Sequence, residues 1–184
     1  MRNLVAAVFA TLDGVVQDPG GFGELERGGW APKYFDEASI EASTNALLKS
    51  DTFLLGRRTY EVIEKAWSYN TGPYAEAMTK IPKVVISRTL QGPLPWNATA
   101  LPGEAAETVA QLKQQPGGDI LMYGSFNLMR TLLEHHLIDQ LHVGVHPVII
   151  GAGKRLFDGV SPGALRFVAA TPTSTGVVNL TYSP

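Results

Sequence analysis

Cysteine is absent from the 184-residue chain. That excludes disulfides, thiolate metal sites and cysteine nucleophiles, while leaving the redox compartment open. Histidine is scarce too: His135, His136, His142 and His146 follow no zinc-binding spacing, so no metal is expected. Neither sign of charge prevails, with 15 Lys and Arg against 17 Asp and Glu and a net charge of −2. Nucleic acid and an anionic membrane are therefore not expected as main partners, and any anion site has to be local. No apolar run is long enough to span a bilayer. The run Leu4–Ala10 is too short for a secretory signal and Asp13 follows it closely, so the cytoplasm is the expected compartment.

What is present is an ordinary globular composition, 45% hydrophobic and 17% charged. With no repeat and no dividing linker, residues 1–184 are expected to form one domain around one core. Leu4–Ala10 reads as a buried strand running into the Asp13-Gly14 turn, and residues 18–32, rich in glycine around Trp30, read as a long loop. Helical spacing over 34–49 is followed by a strand at Thr52–Leu55, a helix at Arg58–Trp67 and a strand at Lys83–Ser87. A proline-rich connection is expected from Pro93 to Pro102. Beyond it come a helix over 104–115, a strand at Asp119–Tyr123, a helix from Phe126 to Leu133 and a strand at Asp139–Val145. Two extended segments around Thr171-Pro172-Thr173-Ser174 close the chain as an antiparallel hairpin. Alternating strands and helices predict an α/β fold with a mainly parallel sheet, and ligands bind such sheets at the carboxyl ends of the strands.

Three of those ends carry unusual residues. Leu55-Gly56-Arg57-Arg58-Thr59 places two cations at a helix start, where they oppose the helix dipole unless an anion joins them. Two arginines simply pointing into water are the other reading. Val85-Ile86-Ser87-Arg88 delivers a hydroxyl and a guanidinium, and Tyr123-Gly124-Ser125 offers a small-residue turn with Ser125 as helix N-cap. The three-glycine dinucleotide fingerprint is missing, which argues against a Rossmann domain of the usual kind. Together the three ends suit a ligand with several phosphates, and NADPH, with its 2′-phosphate, makes that demand.

These segments, with Thr11-Leu12-Asp13-Gly14 and His146-Pro147-Val148-Ile149-Ile150-Gly151-Ala152-Gly153, are similar to the RibD C-terminal domain. This is the reductase part of the bacterial bifunctional deaminase-reductases of riboflavin synthesis, and the likeness covers nearly the whole chain. The resemblance implies a dihydrofolate reductase-like three-layer fold and an NADPH-dependent reductase. Its reference substrate is 5-amino-6-(5-phosphoribosylamino)uracil. By the same likeness Gly56, Arg57, Arg58, Thr59, Ser87, Arg88, Tyr123, Gly124 and Ser125 become cofactor contacts, and Asp13 lies in the loop that closes over the nicotinamide, as proton relay or as a mere turn residue. Dihydrofolate reductases carry a proton-relaying carboxylate on the helix before the Gly-Arg-x-Thr strand. The matching place here falls near Ile40, with Glu37 and Glu41 beside it, which departs from that pattern. On the substrate side the likeness sets Trp30, His146 and Gly151. Trp30 either stacks on a ring or plugs the core, and His146 is either a proton donor or structural. A dihydrofolate reductase, a non-catalytic NADP(H)-binding protein and a dimerisation domain are the alternatives, and a homodimer is expected from relatives and from the Val148-Ile149-Ile150 run.

Overall fold

The computed structural model describes residues 1–184. Nine strands form one sheet in the order β4-β5-β3-β2-β6-β1-β7-β9-β8. They are β1 (Leu4–Thr11), β2 (Thr52–Gly56), β3 (Lys83–Ile86), β4 (Gly92–Leu94), β5 (Ala98–Leu101), β6 (Ile120–Tyr123), β7 (Gln140–His146), β8 (Arg166–Pro172) and β9 (Val178–Ser183). From β5 to β7 all neighbours pair in parallel, while β4 at one edge and the β9-β8 hairpin at the other are antiparallel.

Strands at the centre are apolar on both sides because helices cover both faces. Leu54, Ile86 and Met122 point to the face carrying α4 (Ala105–Gln114) and α5 (Phe126–Glu134), and join Val109, Leu112, Met129 and Leu132. Phe53, Leu55, Val85 and Leu121 point the other way, onto Leu47 of α1 (Glu37–Lys49), Tyr60 of α2 (Arg57–Trp67) and Met78 of α3 (Pro73–Lys80). Truncating a fully buried side chain such as Leu54 to alanine costs about 2–5 kcal/mol in such a core. The amino-terminal edge of the sheet is fastened by buried Arg2, which pairs with Asp51 and donates to the Thr52 hydroxyl and the Gly118 carbonyl.

Helix α1 starts three residues later than the spacing from Tyr34 suggests, because Asp36 and Ser39 form a reciprocal capping box that fixes the N-terminus at Glu37. Three features depart from the expected pattern. The expected proline-rich connection holds β4 and β5. Pro93 sits on the edge strand, where a missing N–H costs no ladder bond, and Trp96 and Asn97 both adopt positive φ, as tight hairpins require. Helix α3 has no counterpart in the sequence reading. Pro73, which looks like a breaker after Gly72, occupies the first helical turn, where proline is tolerated. The closing turn lies at Thr173–Val177, two residues beyond the expected one, and Thr171 and Pro172 belong to β8.

After β2 the chain turns into α2 on one face; after β6 it turns into α5 on the opposite face. Because β2 and β6 are hydrogen-bonded neighbours, a crevice opens between their carboxyl ends.

Candidate functional site

A cleft of about 1910 Å³ runs along these carboxyl ends, from β3 and β2 past β6 to β1, β7 and β9. At β6, Gly124 and Ser125 both take left-handed backbone angles, with φ of 60° and 55°, which swings the chain from strand to helix within two residues. Gly124 N–H donates to the Ala7 carbonyl at 3.0 Å, pinning the turn to β1. The Ser125 hydroxyl accepts from Gly56 N–H at 2.7 Å. That single bond joins the ends of β2 and β6. It also takes the Ser125 hydroxyl away from the capping role expected of it, so neither α5 nor α2 has a side-chain cap. The first-turn amides of both helices remain open to the cleft, which is the arrangement an anion needs. A Cβ at Gly56 would meet the Ser125 Oγ at 3.2 Å, so a side chain there would press on the hydroxyl that joins the two turns.

Around these amides stand the arginines. Arg57 pairs with Glu61 one turn along α2 at 3.3 Å, whereas Arg58 and Arg88 are exposed, line the cleft and have no acidic partner. Lys154 approaches from the opposite wall, its Nζ 5.0 Å from the Phe126 ring centre at the start of α5. Thr59 lines the same stretch, half-buried. Ser87 is buried and its hydroxyl accepts from Thr89 and Leu90 N–H at 3.1 and 2.9 Å, so it shapes the turn that presents Arg88. Tyr123 donates its hydroxyl to the Ser43 carbonyl at 3.3 Å and stacks edge-on with Phe53, and burial raises its phenol pKa; it packs α1 onto the sheet.

The residues expected near the substrate separate into two groups. Asp13, Trp30 and Gly151 are absent from the cleft wall, and His146 lines it. The Asp13 carboxylate accepts from the Thr11 hydroxyl at 2.6 Å and from Ile150 and Gly151 N–H at 3.2 and 2.9 Å, and Arg155 donates to its carbonyl. The Thr11 hydroxyl, aided by those two amides, holds the acid down to a pKa of about 2. Asp13 therefore fastens the loop after β1 to segment 148–155, and no proton is carried on it near neutral pH. Trp30, only 4% exposed, donates its indole N–H to the Gln17 carbonyl at 3.1 Å and plugs the core.

His146, 1% exposed, touches Phe9, Trp30 and Tyr34 edge-on at ring-centre distances of 5.2, 5.1 and 5.6 Å. Its Nδ1 lies 2.9 Å from the Gly144 carbonyl, which makes that nitrogen the N–H donor, and burial keeps its pKa below the ordinary histidine value. A neutral, packed imidazole at the cleft wall results.

Two features go beyond the sequence reading, which places a loop over 18–32 without its internal organisation. Loop 18–29 is organised by Asp18, a buried residue with φ of 49° whose carboxylate accepts from the amides of Phe22, Gly23, Glu24 and Leu25 at 2.5–3.2 Å. Phe22 and Glu24 of this loop line the cleft. The second feature is the uncovered face of β1, β7, β9 and β8. Register sets Phe9 beside Gly144, Gly144 beside Asn179 and Asn179 beside Thr171, all facing the cleft. No local signal marks it, because Phe9 sits within the run Leu4–Ala10, which is apolar throughout. Glu37, Ile40 and Glu41 border this floor from α1.

Residues 2–179 match the RibD C-terminal domain model. The chain belongs to the RibD C-terminal domain family. It is 31% identical over 187 residues to the uncharacterized protein YyaP of Bacillus subtilis strain 168, covering 98% of this chain and 94% of that one. Among solved structures, dihydrofolate reductase from Enterococcus faecalis, complexed with NADP(H), superposes with a TM-score of 0.64 at 15% identity, over 98% of this chain and 95% of that one. The diaminohydroxyphosphoribosylaminopyrimidine deaminase/5-amino-6-(5-phosphoribosylamino)uracil reductase of Thermotoga maritima gives 0.68 at 15% identity, over all of this chain and 56% of that one. The fold is thus dihydrofolate reductase-like, as the sequence resemblance implied, with a mainly parallel sheet and antiparallel strands at its edges.

Proposed function

We propose that this RibD C-terminal family protein is a reductase that takes NADPH in the β2-β3-β6 arm of its cleft and reduces a planar nitrogen heterocycle in the β1-β7-β9 arm. The observation that carries the reading is the Gly56–Ser125 hydrogen bond, which draws two uncapped helix N-termini together beneath Arg58 and Arg88. Open amides and unpaired guanidinium groups suit a pyrophosphate and a further phosphate, the second of which distinguishes NADPH from NADH. The cofactor supplies a hydride when bound. The chain's own residues then bind, orient and exclude water: Arg58 and Arg88 neutralise the phosphates, the α2 and α5 amides hold the pyrophosphate, and the Asp18-organised loop covers the middle of the cleft. With Asp13 committed to the loop clasp and His146 neutral, water is the proton source in this reading.

Isothermal calorimetry with NADPH and NADH tests the cofactor arm. Wild-type protein is expected to bind NADPH more tightly, and Arg58→Ala to weaken NADPH at least tenfold more than NADH, in keeping with loss of a charge-assisted contact of about 1.5–3 kcal/mol. Equal weakening of the two nucleotides would remove the 2′-phosphate from Arg58. Oxidation of NADPH followed spectrophotometrically with 5-amino-6-(5-phosphoribosylamino)uracil, its dephosphorylated form and dihydrofolate tests the reaction; no oxidation with any ring would leave a nucleotide-binding protein without catalysis.

A further inference from the structure

We infer that the open floor of the cleft seats a planar ring bearing adjacent N–H and C=O groups and no phosphate, an inference that rests on the reductase reading and specifies its substrate. Parallel and antiparallel register lines up Phe9, Gly144, Asn179 and Thr171 across four neighbouring strands, with no helix above β7, β9 and β8. Phe9 is 39% exposed and Phe35, 5.5 Å away between ring centres, is 40% exposed; large apolar rings left in water beside a cleft are a stacking surface.

The space for the ring comes from Gly144. A Cβ there would lie 3.3 Å from Phe9 Cδ1 and 3.2 Å from Asn179 Oδ1, so any side chain would occupy the ground between the aromatic wall and the amide. Asn179, exposed at that edge, offers one acceptor and two donors, the complement of a lactam edge such as that of a pyrimidinedione or a pterin. Thr171 adds a hydroxyl beside it.

Charge decides against a phosphate. The cations on the cleft wall are Arg57, Arg58, Arg88 and Lys154. The three arginines stand at the ends of β2 and β3, and Lys154 lies over Phe126 at the start of α5, so all four belong to the cofactor arm. The charged groups that line the cleft beside the floor are the exposed carboxylates Glu37 and Glu41 on α1. His142 and His146 add no positive charge: both are held below their ordinary pKa by burial, and His142 shares its ring nitrogens with Thr181 and Gln140 at 3.2 and 3.3 Å. A phosphate dianion here would meet two carboxylates against one solvent-exposed cation, Lys33, whose Nζ lies 5.0 Å from the Tyr34 ring centre and off the cleft wall.

The experiment loads the full-length protein with NADP⁺ and titrates 5-amino-6-(ribosylamino)uracil and its 5-phosphate by calorimetry. The dephosphorylated compound is expected to bind at least tenfold more tightly. In Glu37→Gln/Glu41→Gln the gap should shrink below threefold, through tighter binding of the phosphate ester. Gly144→Val should abolish binding of both rings and leave NADP⁺ affinity unchanged, and Asn179→Leu, at the cleft surface, makes the same test should Gly144→Val not fold. Equal or tighter binding of the phosphate ester overturns the inference, as does wild-type ring binding in both floor variants. Failure of both rings to bind the loaded protein overturns it and leaves the cofactor arm standing, whereas failure to take up NADP⁺ removes both.

Discussion

Gly28→Ala is expected to unlock the loop over the cleft by displacing the Asp18 carboxylate rather than by straining its own backbone. A Cβ on Gly28 would stand 2.1 Å from Asp18 Oδ2 and 2.6 Å from its Cγ, distances no side chain tolerates, and the displaced carboxylate is the acceptor for Phe22, Gly23, Glu24 and Leu25 amides. Hydrogen bonds to a charged acceptor are worth about 1.5–3 kcal/mol each, but amides released at the surface regain water, so the loop should lose on the order of 2–3 kcal/mol. Native-state hydrogen exchange reads this directly, as a roughly 30- to 150-fold rise in exchange at those four amides with little change in the central strands. Asp18→Ala should produce the same loss. The double variant Asp18→Ala/Gly28→Ala should be no worse than Asp18→Ala within about 0.5 kcal/mol, because the new methyl then meets no carboxylate. Additive losses, or unchanged protection of the four amides in Gly28→Ala, would refute the clasp.

The remaining expectations are shorter. The Asp13 carboxyl is held from 3.8 down to about 2, first by the Thr11 hydroxyl and then by the Gly151 and Ile150 amides. A depressed carboxyl contributes stability above its unfolded value and loses it as pH falls through the folded one, so wild-type protein should weaken between about pH 4 and pH 2 through this group. Asp13→Asn should be less stable at pH 7 and show a flatter urea-denaturation profile across that window; a parallel profile would place the depression elsewhere. Edge strand β8 leaves Phe167 and Val168 58% and 46% exposed, an apolar edge that predicts a homodimer. Sedimentation velocity should find two chains together in wild type and a monomer in Phe167→Glu; a monomeric wild type ends that expectation.

Strand and helix order was readable wherever one physical signal dominated. Val84-Val85-Ile86 and Ile120-Leu121-Met122 are apolar on both sides because both faces are covered, and a run of that kind reads as a central strand without further information. Signals failed where a residue's meaning depends on neighbours distant in sequence. Pro93 forbids a central strand but not an edge strand, and only the pairing of β5 with β3 makes β4 an edge. Asp13 and Asp18 are both aspartates near glycines, yet one clasps Ile150 and Gly151 from 137 and 138 residues away and the other gathers four amides of its own loop.

The two arms of the cleft differ in legibility for the same reason. Arg57, Arg58, Ser87, Arg88, Gly124 and Ser125 follow directly on their strands, so local sequence order already places them at carboxyl ends. The floor is assembled by register instead. Phe9, Gly144, Asn179 and Thr171 are separated by 135, 35 and 8 positions, and become neighbours only once β7 pairs with β1 and the terminal hairpin folds onto β7. A relative that shifted the β7–β9 pairing by one residue would turn Asn179 to the α5 side and bring an apolar neighbour into the cleft, because side chains alternate across a strand. Cofactor arm and substrate floor are thus free to diverge independently, the first through point changes at strand ends and the second through register.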